Sequence, residues 1–580
     1  MLRTLRDFGE VVVIDFEFRA APGERPVPVC LVAREQRSGR MFQCWLEGEA
    51  APVEPPFAHD SSTLLVAYFA SAELGCYQML GWPFPRWLVD PYAEFRIRVN
   101  GLHARHSLLD ALRYFGIPGM DADQKDLFRK RILAGPPYNA SERRLILAYC
   151  ETDVTATERL LPQLIRPNDV LTGALVRGEY MKVVARIEHA GVPLDAPLYH
   201  HMAEHWTQLQ SAVVARVNDQ IPVYDGRSFR HAKFETWVKS RGLLAGWPLT
   251  LTGKLAVDED TLKEQSALYP ELEPLRQVRQ MLGQMRRPGL HVGGDGRNRY
   301  LLSPFKTKTG RNAPSTTRSI FGAPSFMRGL IRPELGKALA YIDWSQQEFG
   351  IAAALSGDAA MQESYRSGDP YLAFARYAGA VPADASKASH PRERSLFKTT
   401  VLGVQYQIGA MGLAHRLGTT IHEAGNLLDH HRRIYNRFWG WSDAACDCAQ
   451  LSGFMRAALG WSMQVTAGTT LRTMRNFPMQ ANGAEMLRLA TIFAHHAGVR
   501  ILAPVHDAML IEAAADDIEH AVALTQTAMR RASEVVLAGF PLRTDAQIIC
   551  YPDRFCDERG ITMWRWMQQA LSAAEETAVI

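Results

Sequence analysis

The sequence predicts a multidomain α/β protein, and three observations carry that reading. The chain has 580 residues, 47% hydrophobic and 22% charged. That balance suits a globular protein with a large core, divided into about three to four domains. Short apolar runs such as Val11-Val12-Val13-Ile14 are interspersed with longer amphipathic stretches, the pattern of strands among helices. Gly and Pro number 43 and 32, close to average usage, which excludes collagen-like and low-complexity chains.

Charge and cysteine usage narrow the class. Lys and Arg total 65 against 61 Asp and Glu, too mild an excess to announce nucleic acid by itself. No apolar run approaches the length that spans a bilayer, so no membrane partner is expected. Asp7, Glu10, Asp15 and Glu17 argue against a leader peptide. The eight cysteines form no CxxC pair, and Cys446 and Cys448 have no His neighbours, so the chain reads as free of zinc and at home in a reducing cytoplasm.

Taken in order, residues 11–18 read as a strand, residues 64–67 as a second, and residues 141–165 as a long amphipathic helix. Arg166-Pro167-Asn168-Asp169 breaks that helix and marks the first boundary. Residues 171–216 read as mostly helical, interrupted near Gly191-Val192-Pro193. Between Arg276 and Glu334 about a dozen Lys and Arg face two acids, Asp295 and Glu334, and the Gly, Asn and Ser content predicts loop. A strand is expected over 337–342, a helical block over 392–496, and two strands around a tight turn over 500–513.

Two constellations carry chemistry. In the first, Asp15 and Glu17 sit at i and i+2 of a strand and share a face. Glu73 follows the second strand, and Tyr149 and Asp153 lie one helical turn apart. Four acids and a tyrosine suit two divalent cations acting on a phosphodiester. In the second, Asp343 ends a strand, and His506 and Asp507 occupy a hairpin turn. A carboxylate at a buried strand end needs a counter-charge, which a metal supplies. Between them Arg394, Lys398, Leu402 and Tyr406 recur every fourth residue, one helical stripe with a cationic end for phosphates and an apolar end for a base. Singly, each piece is ordinary surface or core chemistry; their order and spacing give them weight.

The first set resembles the proofreading 3′→5′ exonucleases of the DEDD-plus-tyrosine pattern, over about residues 10 to 160, with Glu73 where that family usually has Asp. The second resembles motifs A, B and C of the family A DNA polymerases. The resemblance implies metal-binding roles for Asp343, Asp507, Asp15, Glu17 and Asp153, with Glu73 and Tyr149 completing the exonuclease site. It implies nucleotide binding by Glu348 (as the sugar-discriminating residue), Arg394, Lys398, Leu402, Tyr406 and His506. Thr309, Arg311, Arg472, Asn476 and Gln480 are implied to grip primer–template DNA, with Lys306 and Lys308 on phosphates. Further matches are Met327-Arg328, residues 187–195 and residues 247–262.

The resemblance implies a ribonuclease H-like exonuclease domain over 1–168 and a right-hand polymerase domain over 169–580. The latter divides into a thumb and connecting region at 169–300, a palm at 300–349 and 475–580, and fingers at 350–474. No 5′-nuclease domain is expected ahead of the exonuclease strand. The partners implied are primer–template DNA and dNTPs, and the cofactor Mg²⁺, two ions per site, with Mn²⁺ able to substitute. Four departures from the family pattern stand out: Ala508 for Glu, Leu402 for an aromatic, Gln407 for Gly and Gly350 for Arg. They suggest a divergent branch of phage or mobile-element origin in a bacterial cell. The rival readings are a single-subunit RNA polymerase, which Glu348 argues against, and a DNA-binding relative that has lost its chemistry.

Overall fold

A computed structural model describes residues 3–48, 52–102, 104–119, 122–244, 247–250, 252–283, 289–405 and 407–578. The N-terminal unit is built on strands β1 (Glu10–Arg19), β2 (Val27–Glu35), β3 (Met41–Trp45), β4 (Thr63–Val66) and β5 (Trp87–Val89). Their order is β3-β2-β1-β4-β5. The pairs β1/β2 and β2/β3 are antiparallel, while β1/β4 and β4/β5 are parallel. The sheet is thus mixed, antiparallel on one side of β1 and parallel on the other. β1 lies at the centre because both its faces are apolar: Val11 to Ile14 are all buried. Apart from Glu10 at its start, its polar residues come at the far end, where Asp15 and Glu17 emerge beside a register shift after Glu17.

Helices α1 (Ser71–Leu80), α2 (Pro91–Val99), α3 (Leu108–Tyr114), α4 (Ala122–Ala134) and α5 (Ala140–Leu164) cover this sheet. Asp90 organises the crossing between them. Its buried carboxylate caps α2 through Tyr92 N and also accepts from Phe69 N and Ala70 N, each at 2.9 Å, fixing the entry to α1. Burial raises Asp90 to about 7 despite those three donors.

Helix α6 (Thr172–Ala190) joins the two halves of the chain. It packs on β5 and α1 and, farther on, on the long helix near the C-terminus. Gly178 makes this possible, since a Cβ there would stand 1.9 Å from Leu88 O. Beyond it, α7 (Ala196–Glu204), α8 (Trp206–Gln220), α9 (His231–Ser240), α10 (Glu259–Leu268) and α11 (Glu273–Gly283) gather around a core of Trp206, Phe234, Trp237 and Leu275.

The second sheet comes next in the chain. Strand β6 (Lys337–Trp344) leads into α12 (Gln347–Ser356), α13 (Ala359–Arg366), α14 (Pro370–Tyr377), α15 (Pro391–Gln405), α16 (Ala410–Leu417), α17 (Ile421–Ile434) and α18 (Asn436–Ser452). A hairpin of β7 (Phe454–Arg456) and β8 (Ser462–Gln464) interrupts the expected helical block before α19 (Leu471–His496). Then come β9 (Arg500–Val505), β10 (Ala508–Ala514), α20 (Ile518–Val536), β11 (Thr544–Cys550) and α21 (Ile561–Ala578). The sheet order is β9-β10-β6-β11, antiparallel throughout, with α19 and α20 packed together behind it.

The basic segment differs from its reading in two ways. Arg276 and Arg279 stand on α11 rather than in loop. Several of its cations are engaged internally: Arg297 bridges Glu512 at 2.6 Å and Glu334 at 2.7 Å, Arg299 meets Asp295 at 2.5 Å, and Arg328 meets Asp557 at 2.6 Å. Arg297, Arg299 and Arg328 therefore hold the fold together, and they are not free for phosphates. Among the described residues, no helix is long and apolar enough to cross a membrane.

Gly178→Ala tests the joint between the halves. With a backbone carbonyl in the way, the helix must shift, at a cost of about 1–3 kcal/mol or more. Thermal unfolding should show a clear fall in Tm; an unchanged Tm would mean that α6 does not sit this close to β5.

Candidate functional site

β6 delivers Asp343 at its C-terminal end, and the β9–β10 turn delivers Asp507. Asp343 pairs in register with Ala508 of β10 and with Asp545 of β11. His506 and Asp507 form the two-residue turn, with His506 in the left-handed region at φ 55°. Trp344 N donates to Asp507 O at 3.3 Å, fastening the turn to β6. The two aspartates open into one cleft of about 370 Å³, lined also by Arg311, Gln347, Glu348, Tyr371, Leu402 and His506.

The electrostatics of the pair are those of a site short of positive charge. Burial, then the neighbouring Asp343 carboxylate, pushes Asp507 up to about 6, against backbone hydrogen bonding and Arg311, which pull it down. Burial and then Asp545 raise Asp343. The donors are carboxylate oxygens, the chemistry a hard divalent cation takes, so the residues present fit Mg²⁺ or Mn²⁺.

Glu348 stands in the first turn of α12, and Arg311 Nη2 meets its Oε1 at 3.4 Å across the cleft. The sequence assigns these two to separate tasks; in the fold each restrains the other. Gly310, beside Arg311, has φ 74°, and a Cβ on it would meet Trp461 at 2.8 Å. Trp461 Nε1 and Asn100 Nδ2 both donate to Lys308 O, and Arg488 Nη1 to Gly310 O, at 2.9, 2.7 and 2.7 Å. Thr309 Oγ1 lies 3.2 Å from Thr307 Oγ1 within the same loop.

On α15, Arg394 is tied to Asp369 and lies over the Tyr371 ring. Lys398 is exposed and Leu402 lines the cleft, while Tyr406 falls outside the described residues. Arg472, Asn476 and Gln480 lie on one stripe of α19. Asn476 Oδ1 is buried with no hydrogen-bond partner, an acceptor that bound DNA or water would satisfy. Lys306 and Lys308 are exposed.

The N-terminal acids also converge. Asp15 and Glu17 are half-buried on β1, and Tyr149 and Asp153 are buried on α5, which packs against it. Burial first, then neighbouring carboxylates, pushes both Asp15 and Glu17 far up. Cys150 Sγ lies 3.2 Å from Asp15 O and 3.4 Å from its Oδ2. Glu73, on α1, is close enough to interact with Asp15 and Asp153, and its Oε2 accepts from Phe16 N at 2.7 Å, so this oxygen also braces β1.

Residues 312–549 match the family model for DNA polymerase family A. The chain is 25% identical over 415 residues to DNA polymerase I of Chloroflexus aurantiacus, covering 64% of this chain and 42% of that protein. DNA polymerase I of Aquifex aeolicus is 23% identical, with 65% and 66% covered. The DNA polymerase of Mycobacterium phage L5 is 24% identical, with 68% and 65% covered. The chain thus spans less than two thirds of the length of several of these relatives. Among solved structures, the POL domain of Pol1 from M. smegmatis, in complex with DNA primer-template and dNTP, superposes with a TM-score of 0.67 at 19% identity. That likeness covers 93% of this chain and 96% of the other and establishes the fold.

The departures from the family A pattern acquire physical reasons. A Cβ on Gly350 would meet Leu542 at 2.5 Å and Tyr365 at 2.9 Å, so no Arg fits there. Gln407 has φ 59°, the conformation a Gly adopts without penalty. Ala508 is fully buried directly opposite Asp343, where a Glu would crowd a carboxylate already disfavoured by its neighbours. Sequence reasoning missed Tyr371, Gln347 and Asp545. The first two sit in helix starts that look structural, and Asp545 becomes visible only once β11 is known to pair with β6.

Asp507 supports a stability prediction with its own sign. Its folded value of about 6 lies above the unfolded reference of about 3.9. The metal-free fold is therefore favoured by protonation below about pH 4, an advantage lost as pH rises through 6. Asp507→Asn should stabilise the metal-free protein at pH 7.5, by on the order of 2 kcal/mol, and by about half as much at pH 5. Thermal unfolding with a chelator at both values checks it; a pH-independent difference would contradict the raised value.

Proposed function

We propose that this chain is a template-directed DNA polymerase that extends a primer 3′ end with dNTPs, and that its N-terminal unit is a 3′→5′ exonuclease. One observation carries the first reading: Asp343, at the end of β6, and Asp507, in the neighbouring β9–β10 turn, open into the same cleft as Glu348, Arg311, Tyr371 and Leu402. On this reading the sheet β9-β10-β6-β11 is the palm, the helices from α12 to α18 are the fingers, and those from α7 to α11 belong to the thumb.

Asp343 and Asp507 would hold Mg²⁺ or Mn²⁺, and those ions supply activation of the primer 3′-hydroxyl and charge neutralisation at the leaving pyrophosphate. The chain's own groups bind and orient. Lys398, exposed on α15, reaches for phosphate oxygens as a point charge. Arg394, held against Asp369, presents its guanidinium beside Tyr371. Leu402 and Tyr371 give the base and sugar an apolar wall. Glu348, restrained by Arg311, fills the space a ribose 2′-hydroxyl would need. The α19 stripe of Arg472, Asn476 and Gln480 presents polar groups suited to the acceptors that every correct base pair shows in the minor groove.

Extension of a labelled primer on a DNA template with Mg²⁺ and dNTPs tests the reading. Asp343→Ala or Asp507→Ala should cost several orders of magnitude in extension while DNA binding largely survives. Near-normal extension by either variant would sink the assignment.

Sugar choice gives a second expectation. Clash of a 2′-hydroxyl with Glu348 costs about 1–3 kcal/mol, which at 2.7 kcal/mol is about a hundredfold in kcat/KM. Glu348→Ala should raise ribonucleotide incorporation by roughly tens of fold relative to deoxyribonucleotide. Because Arg311 loses its partner in the same variant, Arg311→Ala is the control, and it should shift the ratio much less than Glu348→Ala does. Equal losses with both sugars in Glu348→Ala would reopen the RNA polymerase alternative.

The exonuclease reading rests on Asp15, Glu17 and Asp153 gathered beside Tyr149. Without dNTPs, the chain should remove single-stranded 3′ nucleotides in Mg²⁺ or Mn²⁺, and Asp15→Ala should abolish this while sparing extension. No loss of nucleotides under either metal would leave the unit a structural one.

A further inference from the structure

The N-terminal acids are met by a cation that the polymerase chemistry does not use. Helix α4 lies across the cluster, and its Lys125 Nζ donates to Asp153 Oδ2 at 2.5 Å. The same ammonium stands 5.8 Å from the centre of the Tyr149 ring. Phe128, one turn further along α4, stacks on that ring at 4.9 Å with the planes 10° apart. The Lys125 side chain is 27% exposed against 11% for Asp153, so the lysine is the more solvent-accessible partner of the pair. Buried carboxylates this close together are costly without a counter-ion. Lys125 also acts on Asp15, opposing the rise that burial and Asp153 impose.

We propose that Lys125 is the resident cation of the N-terminal site: it holds Asp153 in the metal-free protein and meets the phosphodiester of a bound 3′ end. Lys125 has this role only if the unit is the exonuclease proposed above. Its removal has two opposite consequences. The ammonium and a divalent cation compete for the same Asp153 oxygens, so removing the ammonium tightens metal binding. The phosphodiester meanwhile loses a counter-charge, so excision slows. A lysine that merely packs α4 against α5 would give neither the tightening nor the split.

The experiment uses the full chain carrying Asp343→Asn and Asp507→Asn, so that the polymerase pair contributes no Mn²⁺ binding, with Asp15→Asn added in a control that reads any Mn²⁺ held elsewhere. Mn²⁺ binding is read by electron paramagnetic resonance, and single-turnover excision on a single-stranded oligonucleotide is measured beside it. Lys125→Met keeps the apolar stem and removes the charge. It should lower the Kd for Mn²⁺ by about threefold or more and slow excision by about tenfold or more. Lys125→Arg, which restores the charge, should recover most of the excision, and this rescue separates lost charge from a disturbed fold. Unchanged or weakened Mn²⁺ binding in Lys125→Met, or unchanged excision, overturns the proposal. A parent chain that excises nothing with Mg²⁺ or Mn²⁺ overturns the exonuclease reading itself, and the role of Lys125 with it, before any variant is made.

Discussion

Like charges held side by side at half-buried strand ends set the terms for the rest of this molecule. β6 runs through the middle of its sheet and places Asp343 level with Asp545 on one side and next to the Asp507 turn on the other. Opposed like charges destabilise a sheet, and burial adds to the cost, as the raised values of Asp343 and Asp507 show. The fold tolerates this because the strands themselves are apolar: Ala338, Leu339, Ala340 and Ile342 are fully buried. The carboxylates sit only where the strands end, and a cation binding there would relieve stress the sheet already carries. The N-terminal sheet repeats the design on β1, with Lys125 partly meeting the deficit.

The two sheets are not independent bodies joined by a tether. The loop that presents Arg311 to the cleft is clamped from three directions: Arg96 on α2 with Asn100 just after it, Trp461 from the β7–β8 hairpin, and Arg488 from α19. Phe305 and Trp461 stack at 5.5 Å within this junction. Glu485, buried on α19, accepts from the backbone of Leu459 and Trp461 and so holds the hairpin in place. The N-terminal unit therefore helps to position the cleft wall, and it has this structural role whether or not it hydrolyses anything.

Much of this is legible in the sequence where periodicity and composition agree. β1, β6, the β9–β10 hairpin and α5 all fall where their apolar runs and turn residues put them. β2 escapes such a reading because Val27–Glu35 carries Pro28, Cys30 and a charged C-terminal end in place of a clean alternation. The β7–β8 hairpin hides within an apparent helical block because it is only three residues a side. The paired aspartates are legible because strand-end acids repeat a recognisable order, whereas Lys125 and Tyr371 are not. Each reaches its site from a helix whose position depends on tertiary packing, and a lysine or tyrosine on a helix face announces nothing by itself. The Arg311–Glu348 pair spans 37 residues, a proximity no local pattern encodes.

The central claim is that Asp343 and Asp507 form one metal-binding pair. Mn²⁺ tests it most directly, in crystals of the chain with a terminated primer–template and the next dNTP, located by anomalous scattering. The account predicts manganese peaks ligated by oxygens of both Asp343 and Asp507, beside the incoming triphosphate and within reach of Lys398. An ordered ternary complex with its triphosphate in the cleft but no manganese at either aspartate would contradict it.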